Sequence, residues 1–202
     1  GSFAALSVVA LGALALLQFL DIPPPAAERA GAGRPLGEIA RQPTFIVAVL
    51  GGMVSYGGMS LVMNATPLAM IACGHRFEDS ATVIQFHIIA MFAPAFFTGR
   101  LIEHFGVIEI MLAGGALFLV AGTIALAGVD FWHFAVSLTL VGLAWNFMFV
   151  GSTTLVTRTY RPEEKARVQA ANDFLVFGSV GSAAFGAGVL QNAWGWEIVN
   201  YV

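Results

Sequence analysis

Apolar residues in this chain run on without alternating with polar ones. Uninterrupted apolar stretches lie at about 2–20, 43–72, 80–100, 107–128, 132–158 and 164–190. Each is near or above the roughly 20 residues that a helix needs to cross about 30 Å of hydrocarbon. The pattern predicts an all-α fold, a polytopic transmembrane helix bundle of about six spans. Between the first two runs lies a polar, proline-rich stretch from Asp21 to Gln42, with Pro23, Pro24, Pro25, Gly31, Gly33 and Pro35. Such a stretch cannot form a buried helix and reads as a long linker. Its tail, Leu36 to Arg41, is expected to be a short interfacial helix before Pro43 starts the next span. The other connections are short, so consecutive helices are expected to lie antiparallel and adjacent.

Charge then orients the bundle. Threading the runs as spans puts Arg29, Arg34, Arg41, Arg100, Arg158, Arg161, Lys165 and Arg167 on one face and leaves only Arg76, of nine Lys and Arg, on the other. Basic loops stay in the cytoplasm, so loops 21–42, 100–108 and 158–167 are expected there. Composition agrees: 58% of residues are hydrophobic and 10% charged, against about 25% charged in soluble domains. There is no basic arm that would engage nucleic acid. A lone Cys73 cannot form an internal disulfide. The chain opens at Gly1 without an initiator Met, and Trp194 to Glu197 resembles an interfacial anchor opening a further span. Missing segments are expected on both sides.

Polar residues at depth supply the candidate chemistry. The runs at 2–20 and 107–128 carry no ionisable group except Glu109 at the entry and read as lipid-facing. The others hold Tyr56 and Asn64, Gln85 and His87, Trp145 and Asn146, and Asn172 and Asp173. Polar groups in hydrocarbon are costly and usually face a bundle interior or a wetted cavity. Tyr56, Asn64, Gln85, His87, Trp145 and Asn146 are therefore the candidate substrate-binding residues, with the aromatic rings giving flat apolar contact and the amides orienting a polar solute. For His87 a neutral ring bonded to a neighbouring helix is the favoured reading, with a carrier of a coupling proton as the alternative. Gly178, Ser182 and Gly186 recur every four residues and read as a helix-packing stripe. Gly51, Gly52, Gly57, Gly58 and Pro67 mark packing or a bend in the second span. Arg161, Glu163, Glu164, Lys165 and Arg167 read as a solvated loop face.

A resemblance narrows the function. Gly99-Arg100-Leu101-Ile102-Glu103-His104-Phe105-Gly106 lies at a short turn between two spans. It resembles the Gly-x-x-x-Asp-Arg-x-Gly loop of major facilitator superfamily transporters, with Glu103 at the acidic position and His104 at the basic one. Basic residues that often follow the second glycine are replaced by Val107, Ile108 and Glu109. The stretch Arg158 to Phe174 is similar to the connection between the tenth and eleventh helices of bacterial members. On that resemblance the chain is the C-terminal half of such a transporter. Residues 1–20 would be the helix ending the N-terminal half, 21–42 the cytoplasmic inter-half linker, and 43–202 an incomplete C-terminal bundle. The resemblance implies secondary active transport of a small organic solute by alternating access, as uptake or as drug-type efflux, with H+ as a candidate coupling ion. Asp173, an acid within a span about two turns from its cytoplasmic end, is expected to join Gly99, Arg100, Glu103, Gly106 and Arg158 in a gating charge network, with substrate binding as the alternative.

The expected partners are the small-molecule substrate, membrane lipid and the missing N-terminal half, with no nucleic acid. No cofactor, metal or enzymatic activity is expected. A His-liganded membrane redox protein is the alternative from another class, but it needs paired ligands at one depth, and His75, His104 and His133 lie at ends or in loops. A non-transporting membrane bundle is the third reading. Side-specific labelling in intact cells tests the threading. Reporter cysteines beside Arg34 and Lys165 are expected to be shielded from an impermeant maleimide and one beside Arg76 to react; Arg34 and Lys165 on opposite sides would falsify the topology.

Overall fold

The computed structural model describes residues 2–20 and 33–201. The long linker, Arg29 and the Pro23–Pro25 run, expected at residues 21–42, thus lie largely outside the described residues. Two units divide the chain, one ending at Ala32 and one from Gly33 onward. The first contains α1 (Ser2–Leu17), sixteen mostly apolar residues, extended to Leu20 by i to i+3 backbone bonds from Gln18, Phe19 and Leu20. Its α-helical part is shorter than the run at 2–20 predicted.

The second unit holds α2 (Leu36–Ile39), α3 (Pro43–Ala72), α4 (Phe77–Phe92), α5 (Ala95–Phe105), α6 (Val107–Ala127), α7 (Phe131–Thr157) and α8 (Lys165–Tyr201), with a 3-10 turn at Pro162–Glu164. Among the described residues there is no strand. Among the described residues four helices are long and apolar enough to cross a membrane, and α4 with α5, bent by 44° at their junction, makes up to a fifth when the pair is taken as one span. The run expected as one helix at 80–100 is thus two helices, since Pro94 has no backbone N–H to continue the first. α3 in contrast is one helix of 30 residues despite Pro67. The last run extends past 190, and Gly195 (φ 80°) interrupts it. From there a new helical turn starts at Trp196, whose Nε1 donates to the Ala125 carbonyl at 3.0 Å. That carbonyl is among the last four of α6, which lack partners within their own helix.

The bundle is organised around α7 more than around sequential pairs. It packs on α3, α4 and α6, while α8 packs chiefly on α3. Consecutive α3 and α4 touch much less. α7 can take three neighbours because its surface is small at the crossings. A Cβ on Gly142 would lie 2.6 Å from the His87 carbonyl oxygen of α4, and one on Gly114 of α6 would lie 2.9 Å from the Ala144 carbonyl oxygen of α7. The predicted stripe of Gly178, Ser182 and Gly186 meets no neighbour among the described residues of this unit: nothing lies within 4 Å of a Cβ at either glycine, and Ser182 is exposed. The α8 face turned to α3 is the neighbouring one, with Val168, Asn172, Val176 and Ala187 buried. Spacing of four identifies a stripe but not the direction in which it faces.

Two hydrophobic clusters fill the unit. One includes Met59, Met70, Val83, Phe134, Leu138 and Trp145; the other includes Ile39, Phe45, Val49, Ile110, Leu155 and Val168. Buried Ser55, Asn146 and Ser152 lie among these apolar side chains along α3 and α7.

Glu164 corrects the expected solvated loop. Its side chain is wholly buried and forms a two-pronged ion pair with Arg34, Nη2 to Oε2 at 2.7 Å and Nε to Oε1 at 3.0 Å. The backbone N–H groups of Arg34 and Arg161 donate to the same carboxylate at 2.7 and 2.9 Å. Arg34 also donates to the Thr159 carbonyl at 3.0 Å, and Arg167 donates to the Arg34 carbonyl. The fork geometry of guanidinium suits this, and a buried carboxylate requires it. Gly33 makes room: its φ is 97°, and a Cβ there would meet the Glu164 Cγ at 2.6 Å.

Two stability tests follow. Gly142→Val and Gly114→Val should each lower the thermal midpoint of the detergent-purified protein, through overpacking that costs roughly 1–3 kcal/mol, whereas Gly115→Ala, which faces open space, should leave it unchanged. Glu164→Gln should lower the midpoint by several degrees and Glu163→Gln, at an exposed neighbour, should not.

Candidate functional site

Five aromatic rings from four helices meet near the middle of the unit. Tyr56 of α3 lies edge-on to Trp145 of α7 (centroids 5.3 Å), to Phe149 of α7 (5.1 Å) and to Phe177 of α8 (5.7 Å). Trp145 stacks on Phe149 at 5.0 Å with 12° between planes, as residues one helical turn apart can. Phe92, the last residue of α4, closes the other side of Trp145 at 6.2 Å. Edge-to-face and offset contacts of this kind match positive ring edges to negative ring faces. Tyr56 stands thirteen residues from Pro43 and sixteen from Ala72, about 20 and 24 Å along the axis, which is mid-depth.

The cluster opens progressively outward. Trp145 is 7% exposed, Phe177 54% and Phe92 59%. The enclosed Trp145 Nε1 has no hydrogen-bond partner. Gln85 is exposed and stands seven residues before Phe92, two turns away on the same side of α4. A flat conjugated molecule could stack on the open rings while an amide and a phenol address its polar edge.

The predicted substrate residues therefore separate. Tyr56 and Trp145 are brought together, and Gln85 borders the same face. Asn64 is exposed, eight residues along α3 from Tyr56, and its amide donates to the Ser60 carbonyl (2.7 Å) and Ser60 Oγ (3.3 Å) of its own helix. His87 is wholly buried against α7, its Nδ1 2.7 Å from the Leu138 carbonyl oxygen, and its Nε2 has no partner. Asn146 is buried too. It donates to the Met91 carbonyl at 2.7 Å and accepts from Thr98 Oγ1 at 2.6 Å. Phe92, Phe149 and Phe177 were invisible to a search for polar groups at depth. The four-residue spacing of Trp145 and Phe149 was the available signal.

At the other end of α5 the gating candidates gather in part. Gly99, Glu103, Gly106 and Arg158 border one cavity of about 500 Å³, together with Thr154. Gly106, at φ 102°, is the turn between α5 and α6, and a Cβ there would strike the Glu109 carboxylate. Arg100 is exposed outside that cavity. Asp173 is also exposed and accepts a bond from Asn172 at 3.1 Å. Among the described residues, ion pairs form at Arg34–Glu164 and Arg76–Glu78, and His133 Nδ1 stands 3.8 Å from the Asp130 carboxylate, so Glu103, Arg158 and Asp173 are unpaired in this conformation. No group of three His, Cys, Asp or Glu side chains able to hold a metal occurs among the described residues.

Comparison with known proteins gives consistent relatives. The sequence profile of the Major Facilitator Superfamily matches residues 1–186. The riboflavin transporter RfnT of Brucella anthropi is 44% identical over 205 residues, covering 100% of this chain and 52% of that protein. Two uncharacterized MFS-type transporters of Bacillus subtilis, YddS and YdeG, are each 33% identical, over 67% and 64% of this chain and 32% and 30% of their own lengths. The chain thus spans about half the length of RfnT and a smaller share of the other two. No solved structure matches.

Proposed function

The chain belongs to the major facilitator superfamily, and from that we propose that it supplies one wall of a secondary transporter that moves a flat conjugated organic solute, riboflavin or a close analogue, by alternating access. The observation that carries this reading is the five-ring cluster at mid-depth, open at Phe92 and Phe177. An isoalloxazine ring is a tricyclic, polar-edged plane. Each added stack with an aromatic side chain is worth roughly 0.5–1.5 kcal/mol beyond area burial, and the Tyr56 hydroxyl and Gln85 amide would orient its carbonyl and nitrogen edge. The similarity to RfnT supports the substrate class.

The remaining assignments follow the same reading. Residues 1–20 end the first half, 21–42 link the halves, and 43–202 belong to the second, in a bacterial inner membrane with the Arg158 end toward the cytoplasm. The cavity between Glu103 and Arg158 is a gate, drawn here without an ion pair and closing by charge attraction in another conformation. We assign His87 to helix packing and not to proton coupling, because its ring is enclosed between α4 and α7.

Uptake of labelled riboflavin by the full-length transporter in proteoliposomes tests the proposal. Trp145→Ala and Phe177→Ala should each weaken half-saturation about tenfold, the size of one lost stack, while Phe185→Ala, exposed on α8 away from the cluster, should not. Saturable uptake that both cluster variants leave untouched would remove the aromatic site. His87→Gln should leave the pH dependence of uptake as it was, and a flattened profile would return the histidine to the coupling pathway.

A further inference from the structure

The break between α4 and α5 sits directly behind the aromatic cluster. Pro94 cannot donate to the helix, and the 44° bend separates the carbonyls of the last turn of α4 from donors in α5. One of them, the Met91 carbonyl, is met from another helix by Asn146 Nδ2 at 2.7 Å. This bond orients the amide, because a carbonyl can only accept. The Thr98 hydroxyl, one turn into α5, is shared between Asn146 Oδ1 (2.6 Å) and the Pro94 carbonyl (2.8 Å). Asn146 therefore holds both arms of the break at once. Asn146 and Thr98 are both buried.

The neighbours of these residues face the other way. Phe92 follows Met91 on α4, Trp145 precedes Asn146 on α7, and their rings are 6.2 Å apart in the cluster. A change in the bend must alter the Phe92–Trp145 spacing, the Asn146 bonds, or both. At its far end α5 carries Glu103 to the cavity it shares with Arg158. Nine residues separate Pro94 from Glu103, a lever of about 14 Å at about 1.5 Å per residue, so a 10° change in bend moves Glu103 by about 2 Å.

We propose that the Pro94 break is a hinge latched by Asn146, and that solute stacked on the open face of Phe92 resets its angle and so the separation of Glu103 from Arg158. Asn146 is thereby a positioning residue and not a solute ligand. The proposal rests on the aromatic cluster being the solute site. The coupling has the required form: two sites and one element with two arrangements that both sites bias.

Spin labels at His104 on α5 and Thr157 on α7, in the full-length transporter with Cys73→Ser, read the hinge. Without solute, Asn146→Leu should shift the label distance by about 2 Å, the lever estimate, and Thr98→Val should move it the same way while Thr98→Ser, which keeps the hydroxyl, should not. Riboflavin should shift the wild-type distance and leave that of Asn146→Leu unmoved. In transport, Asn146→Leu should cut turnover about tenfold with half-saturation changed by less than about threefold. Unchanged solute-free distances in both Asn146→Leu and Thr98→Val overturn the latch, and the Thr98 pair decides the matter if Asn146→Leu does not fold. Riboflavin that binds without moving the wild-type labels overturns the coupling. So does a pure affinity loss in Asn146→Leu with a normal label response. Absence of riboflavin binding in the wild type sinks the substrate reading separately, and the solute-free distances still judge the latch.

Discussion

A backbone carbonyl inside an apolar slab must find a donor within the protein, since an unmet one costs several kcal/mol there. Two side chains answer that demand. The Trp196 indole meets the Ala125 carbonyl near the end of α6, and Asn146 meets the Met91 carbonyl where α4 stops. Where a helix ends or breaks within the bundle, a neighbouring helix supplies the partner, and this couples the packing of helices to their bends.

Polar groups at depth divide into two populations. Asn146, which meets the carbonyl left open at the break, and His87, which reaches a carbonyl within α7, are enclosed. Tyr56 and Gln85 remain at an accessible face. Aromatic residues, which need no backbone partner, form the surface a planar molecule would meet. Adjacent positions on α7 thus do opposite jobs: Trp145 extends the aromatic surface and Asn146 secures the break behind it.

Element type was legible in the sequence because long apolar runs leave few alternatives, and the membership in the major facilitator superfamily followed from Gly99 to Gly106 and Arg158 to Phe174. What was not legible is which way each helix faces. The stripe at Gly178, Ser182 and Gly186 has the spacing of a contact and meets nothing within the unit at its glycines, because the α3-facing side of α8 is the adjacent one. Pro67 and Pro94 look alike in sequence, yet only the second stands at a break between helices, and the bonds that span that break come from Asn146, distant in sequence. Glu164 read as one more charge in a basic loop, and its burial depends on Arg34, 130 residues earlier. Pairings over that distance are set by the tertiary fold and carry no local signal.

That pairing also decides where the polypeptide can be divided. The Arg34 guanidinium and amide and the left-handed Gly33 belong physically to the body that begins at α2, although in sequence they precede it. A version split into two co-expressed pieces would have to place its junction upstream of Gly33. A cut at Gln42, the apparent start of the helical domain, would strip the Glu164 carboxylate of its counter-ion, of the Arg34 amide and of the Gly33–Arg34 segment that covers it.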